Sequence, residues 1–146
     1  MNLSEFIYNK LTARLEEQLE NNDLNIVYSE AISLFKSEKV ISEVFGIGSY
    51  FFPHGEKKPN DVDFVIKLNI SFENEEVFNL SDNLEKLKDN HLGNGSTLLN
   101  VFIVDSKNRK LNSVDLYYIK YKGEDLEENI RTRKNQIYWK DIQKIL

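Results

Sequence analysis

Asp61 and Asp63 stand two residues apart in NDVDFVI, at the start of a run rich in β-branched and aromatic residues. Side chains alternate across a strand, so both carboxylates are expected on one face. Two unit charges about 4 Å apart repel by about 4 kcal/mol at an effective dielectric of 20, and a shared proton or a divalent cation relieves that repulsion. Mg2+ with a triphosphate is the natural occupant, because that ion uses one or two carboxylates together with substrate phosphates. An isolated Asp-x-Asp is also the ordinary pattern of two solvated aspartates, so the pair needs company to mean more. Upstream, Gly48 and Ser49 end an earlier strand-like run. A glycine there lets the backbone approach a phosphate, while the following amides and hydroxyl donate to its oxygens; a plain turn is the alternative. Asp115 lies in the apolar and aromatic run VDLYYI, where an unpaired buried carboxylate is costly. Strict alternation puts it on a face with Ser113 and Tyr117, which leaves a solvated face open as its explanation.

The elements that must position these residues follow from periodicity. Leu3, Phe6, Ile7, Leu11, Leu15 and Leu19 recur at three- and four-residue spacings and predict a first helix. Ile26, Val27, Ala31, Leu34 and Phe35 predict a second, ending near Ser37. Val40 to Ile47 reads as a buried strand stopping at Gly48, with Gly46 serving packing, and Val62 to Ile70 as the next strand. Pro53, Gly55 and Pro59 make the segment between them a loop. Phe72 to Lys88 has helical spacing and the glycines of His91 to Ser96 end it. Thr97 to Val104 and Leu111 to Lys120 read as two strands of a hairpin joined by DSKNRK, with Asp115 on the second. The tail from Gly123 is charged at first and ends in Ile137, Tyr138, Trp139, Ile142, Ile145 and Leu146, a pattern that predicts a helix docking its apolar end on the core.

These elements, without repeats or an interdomain linker, predict one domain over residues 1–146, of α+β class, with a mixed β-sheet flanked by helices. At 146 residues, 40% hydrophobic and 29% charged, the chain has the composition of a folded globular protein. It has no cysteine and two histidines, so a metal would be held mainly by oxygen. A net charge of -5 argues against extensive contact with nucleic acid, while a small phosphorylated ligand with its own metal ion stays compatible. Charges run through the first twenty residues, so neither a signal peptide nor a membrane span is expected and the expected location is cytoplasmic.

Taken together, GIGSYFFPHGEKKPNDVDFVI followed by SVDLYYI resembles the signature of the nucleotidyltransferase superfamily that includes DNA polymerase β and the minimal nucleotidyltransferases. The likeness spans roughly residues 40 to 120. It lies in the order of a Gly-Ser turn ending one strand, an Asp-x-Asp on the next, and a third acid later. The resemblance implies a nucleotidyltransferase-like fold and nucleotide contacts at Gly48 and Ser49. It implies metal ligation and catalysis at Asp61, Asp63 and Asp115, with two Mg2+ ions when nucleotide is bound. The implied reaction moves a nucleoside monophosphate from a nucleoside triphosphate, ATP first among candidates, to a hydroxyl. Small members of the family often act as antitoxins, which makes a helical toxin a candidate partner; a binding or regulatory module that has lost turnover is the alternative role. Many minimal members follow Gly-Ser with Ala-Arg-Gly, where this chain has YFFPHG; Lys57 or Lys58 is a candidate replacement for that cation, with surface lysines beside a turn the preferred reading of both. His54 is within reach of a phosphate, the group Tyr117, Tyr118 and Tyr121 offers rings for a base, and the compact basic cluster Arg131, Arg133 and Lys134 offers charge to a triphosphate or a partner, but bystander, packing and solvated helix face are the preferred readings of the three.

Overall fold

The structure, a computed structural model, describes residues 2–5, 7, 23–92, 98–134, 136–137 and 139–146. Leu3, Ser4, Glu5 and Ile7 are helical, as the first periodic stretch predicts; the rest of that stretch, and the 93–97 connector, lie outside the described residues. The elements that follow are α1 (Asp23–Ser37), β1 (Ile41–Ile47), β2 (Val62–Leu68), α2 (Glu76–Leu92), β3 (Leu99–Val104), β4 (Lys110–Asn112), α3 (Ser113–Lys122), α4 (Leu126–Arg133) and β5 (Gln143–Lys144). The strands form one mixed sheet in the order β4-β3-β2-β1-β5, in which only β2 and β3 run parallel. The α+β class with a mixed sheet and packed helices is therefore what the periodicities indicated.

One face of the sheet carries the main core. Val27, Ala31 and Phe35 recur every four residues along α1 and bury against Val44 of β1 and Phe64 and Ile66 of β2. Val77, Leu80 and Leu84 of α2 and Leu116 of α3 join Val101 and Ile103 of β3 in the same cluster. The parallel register pairs Val62 with Leu99, Phe64 with Val101 and Ile66 with Ile103, so alternate residues of β2 and β3 enter this core together. By the same alternation Asp63 and Asn100, which pair in register, face the other side.

Two elements differ from expectation. The run from Leu111 to Lys120 is a strand only through Asn112 and then becomes α3. Asn112 is the N-cap: its side chain accepts from Val114 N at 3.0 Å, and the Asp115 carboxylate reaches back to accept from Asn112 N at 2.9 Å, which closes a capping box. Gly123, at φ 68°, ends the helix in the left-handed conformation, with Lys120 and Lys122 in the last turn. These end effects outweigh the β-propensity of the aromatic run.

The C-terminal tail likewise is a helix only through Arg133. Beyond it the chain extends and β5 pairs antiparallel with β1, where Ile145 N donates to Val44 O at 2.8 Å and Val44 N to Leu146 O at 3.1 Å. The free edge of β1 thereby gains partners. On the way, Trp139 packs its ring 6.3 Å from that of Phe102 on the second face of the sheet. No helix among the described residues is long and apolar enough to cross a membrane.

Candidate functional site

The end of β1 and the start of β2 are antiparallel neighbours, with Ile47 opposite Asp63. That register sets the Gly48-Ser49 turn directly against the Asp63 side chain. Gly48 has φ +76°, and a Cβ placed on it would overlap Asp63 Oδ2. Any other residue would both strain the backbone and displace the carboxylate. Asp61, one step outside β2, is half-buried like Asp63, and Val62 between them is fully buried on the core side. The two carboxylates are close enough to share a hydrogen bond.

Burial first, and the neighbouring Asp61 charge second, push the Asp63 carboxyl up to about 6. Burial also raises Asp61, and the hydrogen bond from Asp63 works against that rise. When the pair carries a proton, Asp63 is the member that holds it and Asp61 accepts the hydrogen bond. Asp63 Oδ1 is buried without a hydrogen-bond partner among the described residues. Asn100, although it lowers the Asp63 pKa, leaves that oxygen unsatisfied. An acid pair with an orphaned inward oxygen fits a divalent cation in the proton's stead.

The loop after Gly-Ser is anchored by its aromatic residues. Phe51 packs against Tyr28 and Phe64, at ring distances of 5.9 and 5.6 Å. Tyr50 stacks on Tyr28 at 5.9 Å and donates to Asn25 Oδ1 at 2.6 Å. Gly46 makes this possible, since a Cβ there would stand 2.6 Å from the Phe51 ring. Phe52 N donates to Gly48 O at 2.9 Å and closes the turn. The bulky YFF segment therefore pins the turn to α1 and β2. His54, Lys57 and Lys58 lie exposed on the remainder of the loop.

Asp115 is placed differently from its partners in the motif. It is 2% exposed at the first turn of α3, and Arg133 of α4 grips it, with Nε at 3.1 Å from Oδ2 and Nη2 at 3.0 Å from Oδ1. Among the described residues no three acids or histidines group closely enough to hold a metal, and the Asp115 carboxylate is bonded to Arg133 and Asn112 N rather than to Asp61 or Asp63. The three are linked indirectly. Asn100 faces Asp63 across the β2–β3 register, its Oδ1 accepts from Asn112 Nδ2 at 2.8 Å, and Asn112 N donates to Asp115. A polar row thus runs from the acid pair through two asparagines to Asp115 and Arg133.

Along this row opens a cleft of about 980 Å³ whose lining includes Asp61, Asn100, Asn112, Lys88, Tyr117 and Arg133. Its volume is at the upper end of the usual range for small-molecule sites. Lys88 is 5% exposed, with Nζ 3.3 Å from Ser113 Oγ and 3.4 Å from Glu85 Oε1. Tyr117 and Tyr118 line the cleft from α3, not from a strand, and Tyr121 instead donates to Asp82 at 2.8 Å. Arg131 pairs with Glu128 on the exposed face of α4 and Lys134 is exposed, whereas Arg133 turns inward.

Sequence reasoning misses Asn100 and Lys88 as members of this region, and it sets Arg133 aside with Arg131 and Lys134 as a solvated helix face. The parallel pairing that brings Asn100 to Asp63 leaves no local trace. Lys88 carried only a faint signal, as a charged residue closing the helical stripe of α2. No family model, curated protein or solved structure matches the chain.

Proposed function

We propose that this chain is a nucleotidyltransferase-like domain that binds a nucleoside triphosphate with Mg2+ at Gly48, Ser49, Asp61 and Asp63. The observation that carries the reading is the packing of the Asp63 carboxylate into the space a side chain at position 48 would need. A bare strand-end turn has no use for an acid held there at the cost of an orphaned oxygen and a raised pKa. Asp61 and Asp63 are the residues that would hold the ion, which supplies charge neutralisation for the phosphates. Ser49, next to Gly48, offers its amide and hydroxyl to the same phosphates.

Whether the bound nucleotide is also turned over divides two readings. Transfer of the nucleoside monophosphate to a hydroxyl, by the two-metal route that the sequence resemblance implies, needs a third carboxylate at the pair. Asp115 is instead committed to Arg133 and to the cap of α3, and the residue in register with Asp63 is the neutral Asn100. These observations favour binding without turnover.

The test is a thermal-shift titration of the full chain with ATP and GTP, with and without Mg2+, alongside an assay of pyrophosphate release. A ligand at a hundred times its Kd stabilises by about 2.7 kcal/mol, or roughly 5 to 10 °C for a domain of this size. A shift that requires Mg2+, without pyrophosphate release, is the expected result. No shift with either nucleotide at millimolar concentration defeats the reading, and release at enzymatic rates restores the transferase reading.

A further inference from the structure

The loop after Gly48-Ser49 has no arginine, and its lysines are exposed on its outer part. We infer that Arg133, delivered from α4 and oriented by Asp115, is the phosphate-reading cation of the nucleotide site. This rests on the nucleotide-binding reading and deepens it by naming the residue that distinguishes phosphate number.

Arg133 and Asp61 line the same cleft. A guanidinium carries five N–H donors in a rigid plane. Nε and one N–H of Nη2 are spent on Asp115, and one N–H of Nη1 on Gln136 Oε1 at 2.9 Å. One donor on each Nη therefore has no partner among the described residues. The side chain is 39% exposed, while Asp115 behind it is 2% exposed, so the guanidinium keeps contact with solvent where its carboxylate partner does not.

Asp115 is a positioning residue here. Bonded to Nε and Nη2 on one edge, it removes the rotational freedom that makes a surface arginine a poor anchor. It is itself fixed by the capping bond from Asn112 N, so the guanidinium inherits the rigidity of the β4–α3 junction. A pre-oriented planar fork suits a phosphate, whose oxygens accept two parallel hydrogen bonds. The acid partner offsets the charge of Arg133, so binding is expected only for a phosphate chain whose other end is neutralised by the ion at Asp61 and Asp63.

The experiment is calorimetric titration of the full chain with Mg-ATP, Mg-ADP, AMP, adenosine and inorganic tripolyphosphate with Mg2+. It uses wild type, R133Q, R133K and D115N. R133Q is expected to weaken Mg-ATP about tenfold or more and to leave adenosine unchanged. R133K, which keeps the charge and loses the fork, falls between. D115N is expected to weaken Mg-ATP severalfold, again with adenosine unchanged, an effect that loss of fold would not confine to phosphate. Tripolyphosphate is expected to bind wild type more tightly than R133Q; equal binding overturns the assignment. If wild type binds Mg-ATP and R133Q binds it equally well, the inference fails and the nucleotide site stands. If wild type binds none of the phosphates, both fail. Should R133Q not fold because Asp115 is left buried and unpaired, the D115N/R133Q chain, which removes both charges, replaces it under the same criteria.

Discussion

Replacing Asp63 with Asn removes one charge from the acid pair and keeps its shape, because the amide can still donate to Asp61 and accept from Asn100. In the native protein the Asp63 carboxyl rises from 3.8 to about 6, chiefly from burial and then from the Asp61 charge. A shift of that size corresponds to about 3 kcal/mol, and the partial solvent access of the side chain brings a realistic figure to roughly 1 to 2 kcal/mol. The sign follows from proton linkage. A raised acid contributes stability in full below its unfolded pKa near 4, and that contribution is lost as pH climbs through about 6. Asp63→Asn has no such loss. Urea denaturation in EDTA at half-unit steps from pH 4.5 to 7.5 should show the variant near wild type at the acid end and about 1 to 2 kcal/mol more stable at pH 7.5. The same variant should lose the Mg-nucleotide thermal shift. A variant less stable than wild type at pH 7.5 would refute the reasoning, since it would mean that the ionised carboxylate is welcomed by unseen hydrogen bonds. Retained Mg-nucleotide stabilisation would separately remove Asp63 from the site.

Other consequences are equally specific. Gly48→Ala combines a positive φ with a clash on Asp63 Oδ2, so a loss of roughly 1 to 3 kcal/mol together with the Mg-nucleotide response is expected in denaturant and thermal-shift measurements; a neutral substitution would contradict the close packing. Asp105, fully buried, accepts from the backbone N–H groups of Phe72, Lys107 and Arg109 and from the Arg109 guanidinium. Asp105→Ala should therefore cost about 3 to 5 kcal/mol in urea denaturation, and a cost under about 1 kcal/mol would count against that network. Asn100→Asp sets a third carboxylate beside Asp63; the apo protein should lose about 1 kcal/mol or more and recover it with Mg2+. Pyrophosphate release that appears only in this variant would identify the missing acid as the barrier to turnover.

The parts of the site legible in the sequence are those built from neighbours in the chain. Asp61 and Asp63 share a strand face because alternation dictates it, and Gly48 is marked by its place at the end of β1. The loop between them announced itself through Pro53, Gly55 and Pro59. The antiparallel pairing of β1 with β2 then brings turn and acids together without a long-range choice. Asn100 is different: it reaches Asp63 through a parallel pairing across α2, and no local pattern records which residue of β3 stands opposite which residue of β2. Arg133 is likewise drawn to the site only by the docking of α4.

Asp115 shows how a local signal can be present and still be outweighed in the reading. Tyr117, Tyr118 and Ile119 favour a strand by propensity, which depends strongly on what a strand packs against. Yet Asn112 and Asp115 have the three-residue spacing of a capping box, and Gly123 stands where a helix of about ten residues would end. The caps specify the backbone at two points and carry hydrogen bonds that a continued β4 strand could not supply to these side chains. With α3 in place, Asp115 is directed toward Arg133, and its link to the acid pair becomes the row through Asn112 and Asn100. The same acid that in the sequence suggested a metal ligand thus does its work one step removed, by holding a guanidinium on the rim of the cleft that Asp61 also lines. Two-metal chemistry at the proposed nucleotide site would need a third acid beside Asp63, and the register leaves Asn100 as the position where a carboxylate would have to appear.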